Sequence, residues 1–434
     1  MKLFENYLDG IDSVLSKQVN VTPNLIKKNR DYSANLVKGK IVNLNESQVL
    51  PENLEGPKVL FDYDKKYIEN LFGKNQFTFE NITVGPHPDF NDIDESNYLN
   101  HHCVSVFIDI KGSTRLIEKY TLLEVRLIKD SLLTLAIQIT SQFGGHVHRL
   151  QGDGIFVQFV RRNQYENDSI INALNACSIL TQFVKNDLSS KMEEYGIRPL
   201  KIRIGIDYGE AKDVIWSYYG IPGCGELTTT SLHTDMAAKL QAKAYDNSIL
   251  IGGNIKTKLD LKNEFWKFFE NETSKEHVYY ISNQFTYPFF VFNWFEYLNS
   301  FPFMSKTLGG KSLEVIEKTF AIECYISEEN GTNSERYFPN SISIPKGKNI
   351  SYHLKKNGLP YHPQTTFEKI EWHAYNSGKE ALDAGHSSHD FNKQNNNKTI
   401  CDTSAAYLGH HYVECKIIRD HTGTEKIQFP IFVQ

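Results

Sequence analysis

Two aspartates stand in settings that suit a hard cation and a phosphate. Asp109 ends an apolar run, Val104-Ser-Val-Phe-Ile108, that reads as a buried strand, and it opens the glycine-containing turn Asp109-Ile-Lys-Gly-Ser-Thr114. Further along, Asp153 lies in Gln151-Gly-Asp-Gly154, between His146–Leu150 and Ile155–Phe159, two short runs of strand character. Glycines flanking a turn between such runs point to a tight hairpin. Pairing the Asp109 strand with this hairpin brings both carboxylates to one sheet edge. Two close carboxylates repel unless a divalent cation lies between them. Mg²⁺-like ions favour one or two carboxylates completed by substrate phosphates. The expectation is a metal-nucleotide site.

The elements that would position this pair follow in order. Ser113 and Thr114 could cap a short helix, and Thr121-Leu-Leu-Glu124 fits a capping box. Val125, Ile128, Leu132, Leu135 and Ile139 then form a stripe of 3.6-residue period, ending at Gly144-Gly145. After the hairpin, a second helix is expected over roughly Ser169–Tyr195, with Ala173, Ala176, Leu180, Phe183, Val184 and Leu188 as its apolar face. Lys201–Glu210 alternates as a strand, Thr229–Ala244 reads as a helix and Ser248–Ile251 as a closing strand. This order describes an α/β (α+β) sandwich of the ferredoxin-like kind, with helices over a mixed sheet. From about Ser341 short strand-like runs separated by Gly, Pro and Asn (Ile350–Leu354, Phe367–Tyr375, Tyr412–Ile418, Ile427–Val433) predict a C-terminal β-sandwich. The expected division is 1–98, a helical arm (Phe4, Leu8, Ile11, Leu15) and linker; 99–258, the metal-site domain; 259–340, an aromatic-rich connector around Phe289–Phe303; and 341–434, the sandwich.

The 434 residues and a formal net charge of −5 give no reason to expect a nucleic-acid partner. The six cysteines are scattered without CxxC spacing, the N-terminus lacks a signal-peptide core, and the most apolar window, Tyr287–Phe295, is too short to span a bilayer. A soluble, cytoplasmic protein is expected.

Three segments together resemble class III nucleotide cyclases: Phe107-x-Asp109-Ile-x-Gly112-Ser-Thr114, Gln151-Gly-Asp153-Gly-x-Phe156-x-x-Phe159 and Arg203-x-Gly205-Ile206-x-x-Gly209. The resemblance covers roughly residues 100–255. It implies that Asp109 and Asp153, with the Ile110 backbone carbonyl, bind two divalent cations (Mn²⁺ or Mg²⁺). It implies that a homodimer builds the active site from both subunits, and that a nucleoside triphosphate is the substrate, with Phe107, Gly112, Ser113 and Thr114 beside it. Such phosphoryl transfer asks the protein chiefly for positioning and charge neutralisation.

The departures from the family bear on the base. The place four residues before the second metal aspartate is Lys in adenine-selective members and Glu in guanine-selective ones; here it is Arg149. The family's ribose-orienting Asn and transition-state Arg are replaced by Asp235 and Lys239, and the purine-recognising position falls near Thr228, after a differing loop, Trp216–Gly225. A guanidinium only donates hydrogen bonds, which suits the O4 and O2 acceptors of uracil, so UTP is expected as substrate with CTP the runner-up.

The C-terminal stretch resembles the adenylyl/guanylyl cyclase sensor domain (AGS-C) of bacterial antiphage nucleotide-signalling enzymes. The matching residues are Lys356-Asn-Gly-Leu-Pro-Tyr361, Trp372–Ala381, Tyr407-x-Gly409-x-His411-Tyr-Val-Glu414 and Phe429–Val433. Together the two resemblances imply a pyrimidine cyclase of the Pycsar defence type. Its cyclic nucleotide would act on a separate cyclic-nucleotide-gated effector, not directly bound, and a phage-derived trigger would meet the C-terminal domain. The rival expectations are an adenylate cyclase with unusual base contacts and a catalytically silent cyclase-fold module. The tail histidines His373, His386, His389, His410 and His411 lack a closed tetrahedral set and are expected to be structural or exposed.

Overall fold

A computed structural model of the chain describes residues 4–19, 63–74, 76–270, 275–282, 284–304, 319–361, 363, 368–392, 397–419 and 423–434. Its first half is built on a mixed sheet. The strands are β1 (Cys103–Ile110), β2 (Gly145–Gln151), β3 (Gly154–Phe159), β4 (Ile202–Gly209), β7 (Ser248–Gly252) and β8 (Thr286–Phe292); the intervening β5 (Ile215–Ile221) and β6 (Cys224–Thr230) form an arm outside it. Across the sheet the order is a short strand Val278–Tyr280, then β8, β7, β4, β1, β3 and β2, and Trp266–Lys267 also pairs with β8. β4 and β7 run parallel, and the other neighbours are antiparallel.

The alternation along β1 divides the sheet into two chemically different faces. Val104, Val106, Ile108 and Ile110 enter the main core with Val157 of β3 and Ile204 of β4. Two helices cover that face, α1 (Leu122–Gln142) and α2 (Glu166–Gln182). The α1 stripe Val125, Ile128, Leu132, Leu135, Ile139 is buried throughout, as its period requires. The opposite face carries Ser105, Phe107 and Asp109, and a third helix, α3 (Leu232–Lys243), lies across it. Gly205 of β4 permits that approach, because a Cβ there would stand 2.1 Å from the Ala237 carbonyl oxygen and 2.4 Å from the Gln241 nitrogen.

Several expectations are corrected. The helical rod after the hairpin runs from Glu166 through a π-helical turn, Phe183–Leu188, to Glu194, and α2 is buried on every side from Asn167 to Gln182 rather than along one face. The sheet covers one side and the C-terminal half the other: Asn175 donates to the Asn340 carbonyl at 2.9 Å and accepts from the Tyr297 hydroxyl at 2.7 Å. The strand at Ser248 does not close the sheet, because β8 pairs beyond it. Phe289 and Val291 pack with Met236 and Leu240 of α3, while Phe290 and Phe292 face the main core. A strand buried on both faces loses its alternation, which is why the aromatic run read as a connector. The Trp216–Gly225 segment is no loop. β5 (Ile215–Ile221) and β6 (Cys224–Thr230) form an antiparallel arm, joined at its base by Tyr98–Asn100. Thr229 and Thr230 therefore belong to a strand, and α3 begins after its N-cap Ser231, whose hydroxyl accepts from the His233 N–H.

The helix Glu5–Val19 buries Phe4, Tyr7 and Ile11 in the main core, with Phe4 edge-on to Phe183 at 4.7 Å. The polar stretch Asn43–Pro57, rich in turn formers, lies outside the described residues. Gly85–Asp92, read as a linker, is docked: Phe90 stacks on Trp216 at 3.8 Å, and Asp89 pairs with Arg161 at 2.8 Å.

The C-terminal half is a sandwich of two five-stranded sheets. β9 (Phe320–Ser327) and β10 (Asn349–Lys356) centre one sheet, which includes Ile400–Ser404. β11 (Glu368–Asn376), β12 (Gly409–Arg419) and β13 (Gly423–Val433) form most of the other, with Ser388–Asp390 at its edge. Trp372, Cys415 and Ile417 from one sheet meet Tyr352 and Leu354 from the other in a separate core. β9 lies before Ser341, where the change of texture placed the sandwich's start.

Candidate functional site

Asp109 and Asp153 are brought together by register. Asp109 of β1 lies opposite Gly154, the residue after Asp153, in the β1–β3 pair. Gly152, at φ +63°, makes the turn that presents Asp153. Gly154 leaves room for the carboxylate: a Cβ there would lie 3.1 Å from the Ile108 carbonyl and 3.6 Å from Asp109 Oδ1. Both aspartates already have cationic company. Asp109 Oδ2 accepts from Arg203 Nη2 at 2.5 Å and from Gln241 Nε2 at 3.2 Å, and Lys129 Nζ stands 3.7 Å from Asp153 Oδ1. Arg203 comes from β4, directly opposite Asp109; Gln241 comes from α3, and Lys129 from α1.

No group of three or more His, Cys, Asp or Glu forms a closed cage among the described residues. Two half-buried carboxylates and a neighbouring backbone carbonyl are the incomplete, all-oxygen donor set expected of a Mg²⁺- or Mn²⁺-type ion completed by phosphates. The residues present fit that group. Ile110 pairs with Ile202 at the end of β1. Gly112, with φ +73°, then begins the single 3₁₀ turn Ser113–Leu116, in which Ser113 is buried and Thr114 exposed. Neither Ser113 nor Thr114 caps this turn; the N-cap is Gly112 and carries no side-chain bond.

The positions that the resemblance assigns to the base also gather on this face. A bulge in β2 at His148 sets Arg149, instead of residue 148, opposite Phe156. Phe156 in turn lies opposite Phe107, the two rings stacked at 4.4 Å and 3° apart. Arg149 does not turn freely to solvent. Its Nε donates to Glu226 Oε1 at 3.0 Å, and Nη2 pairs with Oε2 of the same carboxylate. Glu226 lies on β6 two residues before Thr228, on the same face of the strand. His148 is buried with Nε2 3.3 Å from Glu226 Oε1, and burial pushes its pKa down to about 4, so at neutral pH the ring is uncharged. Glu226 was missed in the sequence, where it directly follows Trp216–Gly225, the segment that reads as a loop; only the pairing of residues 77 apart exposes it.

Asp235 and Lys239 are not brought to the two aspartates. They lie one turn apart on the exposed side of α3, whereas Thr234 and Gln241 face the sheet. Behind them is a buried network. Asp207 accepts from the Tyr287 hydroxyl at 2.6 Å, and His233 Nδ1 stands 3.4 Å from the same carboxylate oxygen. Burial raises the Asp207 pKa, opposed by His233 and Tyr287.

The tail histidines build no metal centre among the described residues. His410 is buried against Phe265 and Phe432, and burial holds it well below its ordinary pKa.

Comparison with known proteins agrees with these two halves. The sequence model described as the adenylyl/guanylyl and SMODS C-terminal sensor domain matches residues 292–434. A cytidylate cyclase of Staphylococcus aureus is 34% identical over 402 residues, covering 92% of this chain and 91% of that protein. A cytidylate cyclase of Escherichia coli is 33% identical over 307 residues, 68% of this chain and 64% of that protein. Among solved structures, the adenylyl cyclase CyaB from P. aeruginosa is 18% identical, with TM-score 0.39 over 45% of this chain and 95% of its own. The guanylyl cyclase Cya2 is 14% identical, with TM-score 0.36 over 45% of this chain and 92% of its own. With a third of its residues shared along nine-tenths of the staphylococcal protein, the chain belongs to the same nucleotide cyclase family as that protein, and its residues 292–434 match the C-terminal sensor domain.

Proposed function

We propose that this protein converts CTP to 3′,5′-cyclic CMP and diphosphate. The observation that carries the choice of base is the pair of Arg149, four residues ahead of Asp153 on β2, with Glu226 of β6. Arg149 alone would offer only donors, which suits uracil. Glu226 beside it supplies an acceptor for the N4 amino group of cytosine, while the guanidinium donates toward N3 and O2. The cytidylate cyclase names of the relatives at 34% and 33% identity support the same reading. UTP is the second reading, favoured by the donor-only guanidinium if it faces the base without Glu226.

In the reaction the ribose 3′-oxygen attacks the α-phosphorus, the bond from that phosphorus to the β-phosphate oxygen breaks, and diphosphate leaves as the hydroxyl loses its proton. Asp109, Asp153 and the Ile110 carbonyl would hold two divalent cations, which when bound acidify the hydroxyl and neutralise the triphosphate. Backbone N–H groups of Gly112, Ser113 and Thr114 would line the phosphates, Phe107 would border the substrate, and Thr228 the base. Asp235 would orient the ribose and Lys239 would balance charge on the transferring phosphoryl group. Their exposure on α3, away from the chain's own aspartates, supports a homodimer in which each subunit completes its partner's site. No helix among the described residues is long and apolar enough to cross a membrane. A cytoplasmic role in phage defence, with the C-terminal domain meeting the trigger and a separate effector reading the cyclic nucleotide, completes the proposal.

Purified protein incubated with Mn²⁺ and each of the four nucleoside triphosphates tests it. Cyclic CMP is expected to dominate, and Glu226→Ala is expected to shift preference toward UTP by roughly 10- to 100-fold, the scale of one mismatched polar contact. A purine product from the wild type, or an unchanged ranking in Glu226→Ala, would overturn the assignment.

A further inference from the structure

Between the two sheets of the C-terminal sandwich lies a cavity of about 380 Å³, within the size range of small-molecule sites. Packed sheets stand roughly 10 Å apart, and interdigitating side chains normally fill the gap. Here Ala374 of β11, Val413 of β12, and Ala405 and Ala406 of the loop before β12 line it where longer side chains would close it. What remains is a slot between the two sheets. Tyr352 and Phe391, both buried, and Tyr412 give it aromatic surface.

Asn376, Ser388, His389 and Ser404 contribute polar groups to the lining, and among the described residues no Lys, Arg, Asp or Glu does. His411 is committed to the neutral form: its Nε2 donates to the Tyr407 carbonyl at 2.6 Å, and its Nδ1 accepts from the Ser377 N–H at 3.3 Å. His386 Nδ1 bonds the Tyr407 hydroxyl. Tyr407 is thus held at its backbone by one histidine and at its ring by another, so this wall of the slot is built rather than loose.

We propose that this slot is a binding site for an uncharged, planar heteroaromatic ligand of the nucleoside class. A slot between sheets accepts a flat ring, its aromatic walls stack on that ring, and serine, asparagine and histidine pair with the ring's edge. A phosphate would meet no Lys or Arg among the described residues that line the slot, at a desolvation cost. The nucleotides handled at the Asp109–Asp153 site are therefore excluded here, and the two halves of the chain recognise chemically different molecules. The inference does not rest on the identity of the triphosphate turned over.

The full-length protein is the sample, and the probes are cytidine, uridine, thymidine, adenosine and guanosine with their 5′-monophosphates, measured by saturation-transfer NMR and equilibrium dialysis. At least one nucleoside is expected to bind saturably, and its monophosphate at least about tenfold more weakly, the order set by an unpartnered charge. Ala406→Trp, at the exposed mouth, is expected to abolish binding while melting temperature and triphosphate turnover stay unchanged. His389→Ala is expected to weaken binding several-fold and serves as the deciding variant if Ala406→Trp does not fold. Failure of every nucleoside to bind, a monophosphate binding as tightly as its nucleoside, or full affinity in these variants would overturn the proposal.

Discussion

Arg203 donates to Asp109 across the β1–β4 pair at 2.5 Å, so the carboxylate is oriented and partly neutralised by a neighbour in the sheet itself. An amide in its place can still accept that bond. Asp109→Asn is therefore expected to preserve the fold while removing the negative charge that a divalent cation needs. Cyclase activity should drop by about 10³-fold or more, and likewise in Asp153→Asn, with circular dichroism and melting unchanged. Turnover near wild type in either variant would remove the metal-site assignment.

Gly205 is where α3 meets the sheet. The Cβ of Gly205→Ala would collide with the backbone of Ala237 and Gln241, two groups that cannot rotate away. The helix must lift, at a cost of about 1–3 kcal/mol. Because α3 also carries Gln241 to Asp109, activity is expected to fall further than stability alone explains. Thermal melting and specific activity, measured on the same preparation, check both parts.

Asp168 on α2 accepts from both the backbone N–H and the hydroxyl of Ser343, yet burial raises its pKa to about 6. A carboxyl whose native pKa exceeds its unfolded value binds the proton more tightly when folded. Its contribution is present at low pH and is lost as pH rises from about 4 through 6, by roughly 3 kcal/mol in all. Asp168→Asn is expected to gain stability over wild type above pH 6, with the difference vanishing toward pH 4. Urea melts across that range test the sign. A variant less stable at every pH would mean that the carboxylate–Ser343 bonds outweigh the burial.

Removing everything after Asn340 is expected to yield an insoluble protein rather than a smaller active enzyme. Asp168 would lose Ser343, and the main core would lose Phe432. Expression and sedimentation of the truncated chain measure this; a soluble, folded product would show that the catalytic sheet stands alone.

The juxtaposition of Asp109 and Asp153 and its strands were legible because their signals are local: an apolar run ending in Asp109, glycines about Asp153, and the Val125–Ile139 stripe. Glu226 and Gln241 were not, since each acts on a residue far along the chain and neither breaks the pattern of its own element. β8 was hidden for the opposite reason. Buried on both faces, it shows no alternation, and an aromatic strand then looks like any aromatic cluster. The turn after Asp109 was read as a glycine-containing turn, but its cap was assigned to hydroxyls when the left-handed Gly112 begins it.

The enclosure of α2 bears on how this architecture can be recombined. Its residues answer to two sets of neighbours at once, the catalytic sheet on one side and Tyr297, Asn340 and Ser343 on the other. A chimera that takes its cyclase half from one relative and its C-terminal half from another joins two surfaces shaped for different helices. Such a swap is viable only when the outward positions of α2 travel with the tail, so the two halves are inherited as one unit despite their separate cores.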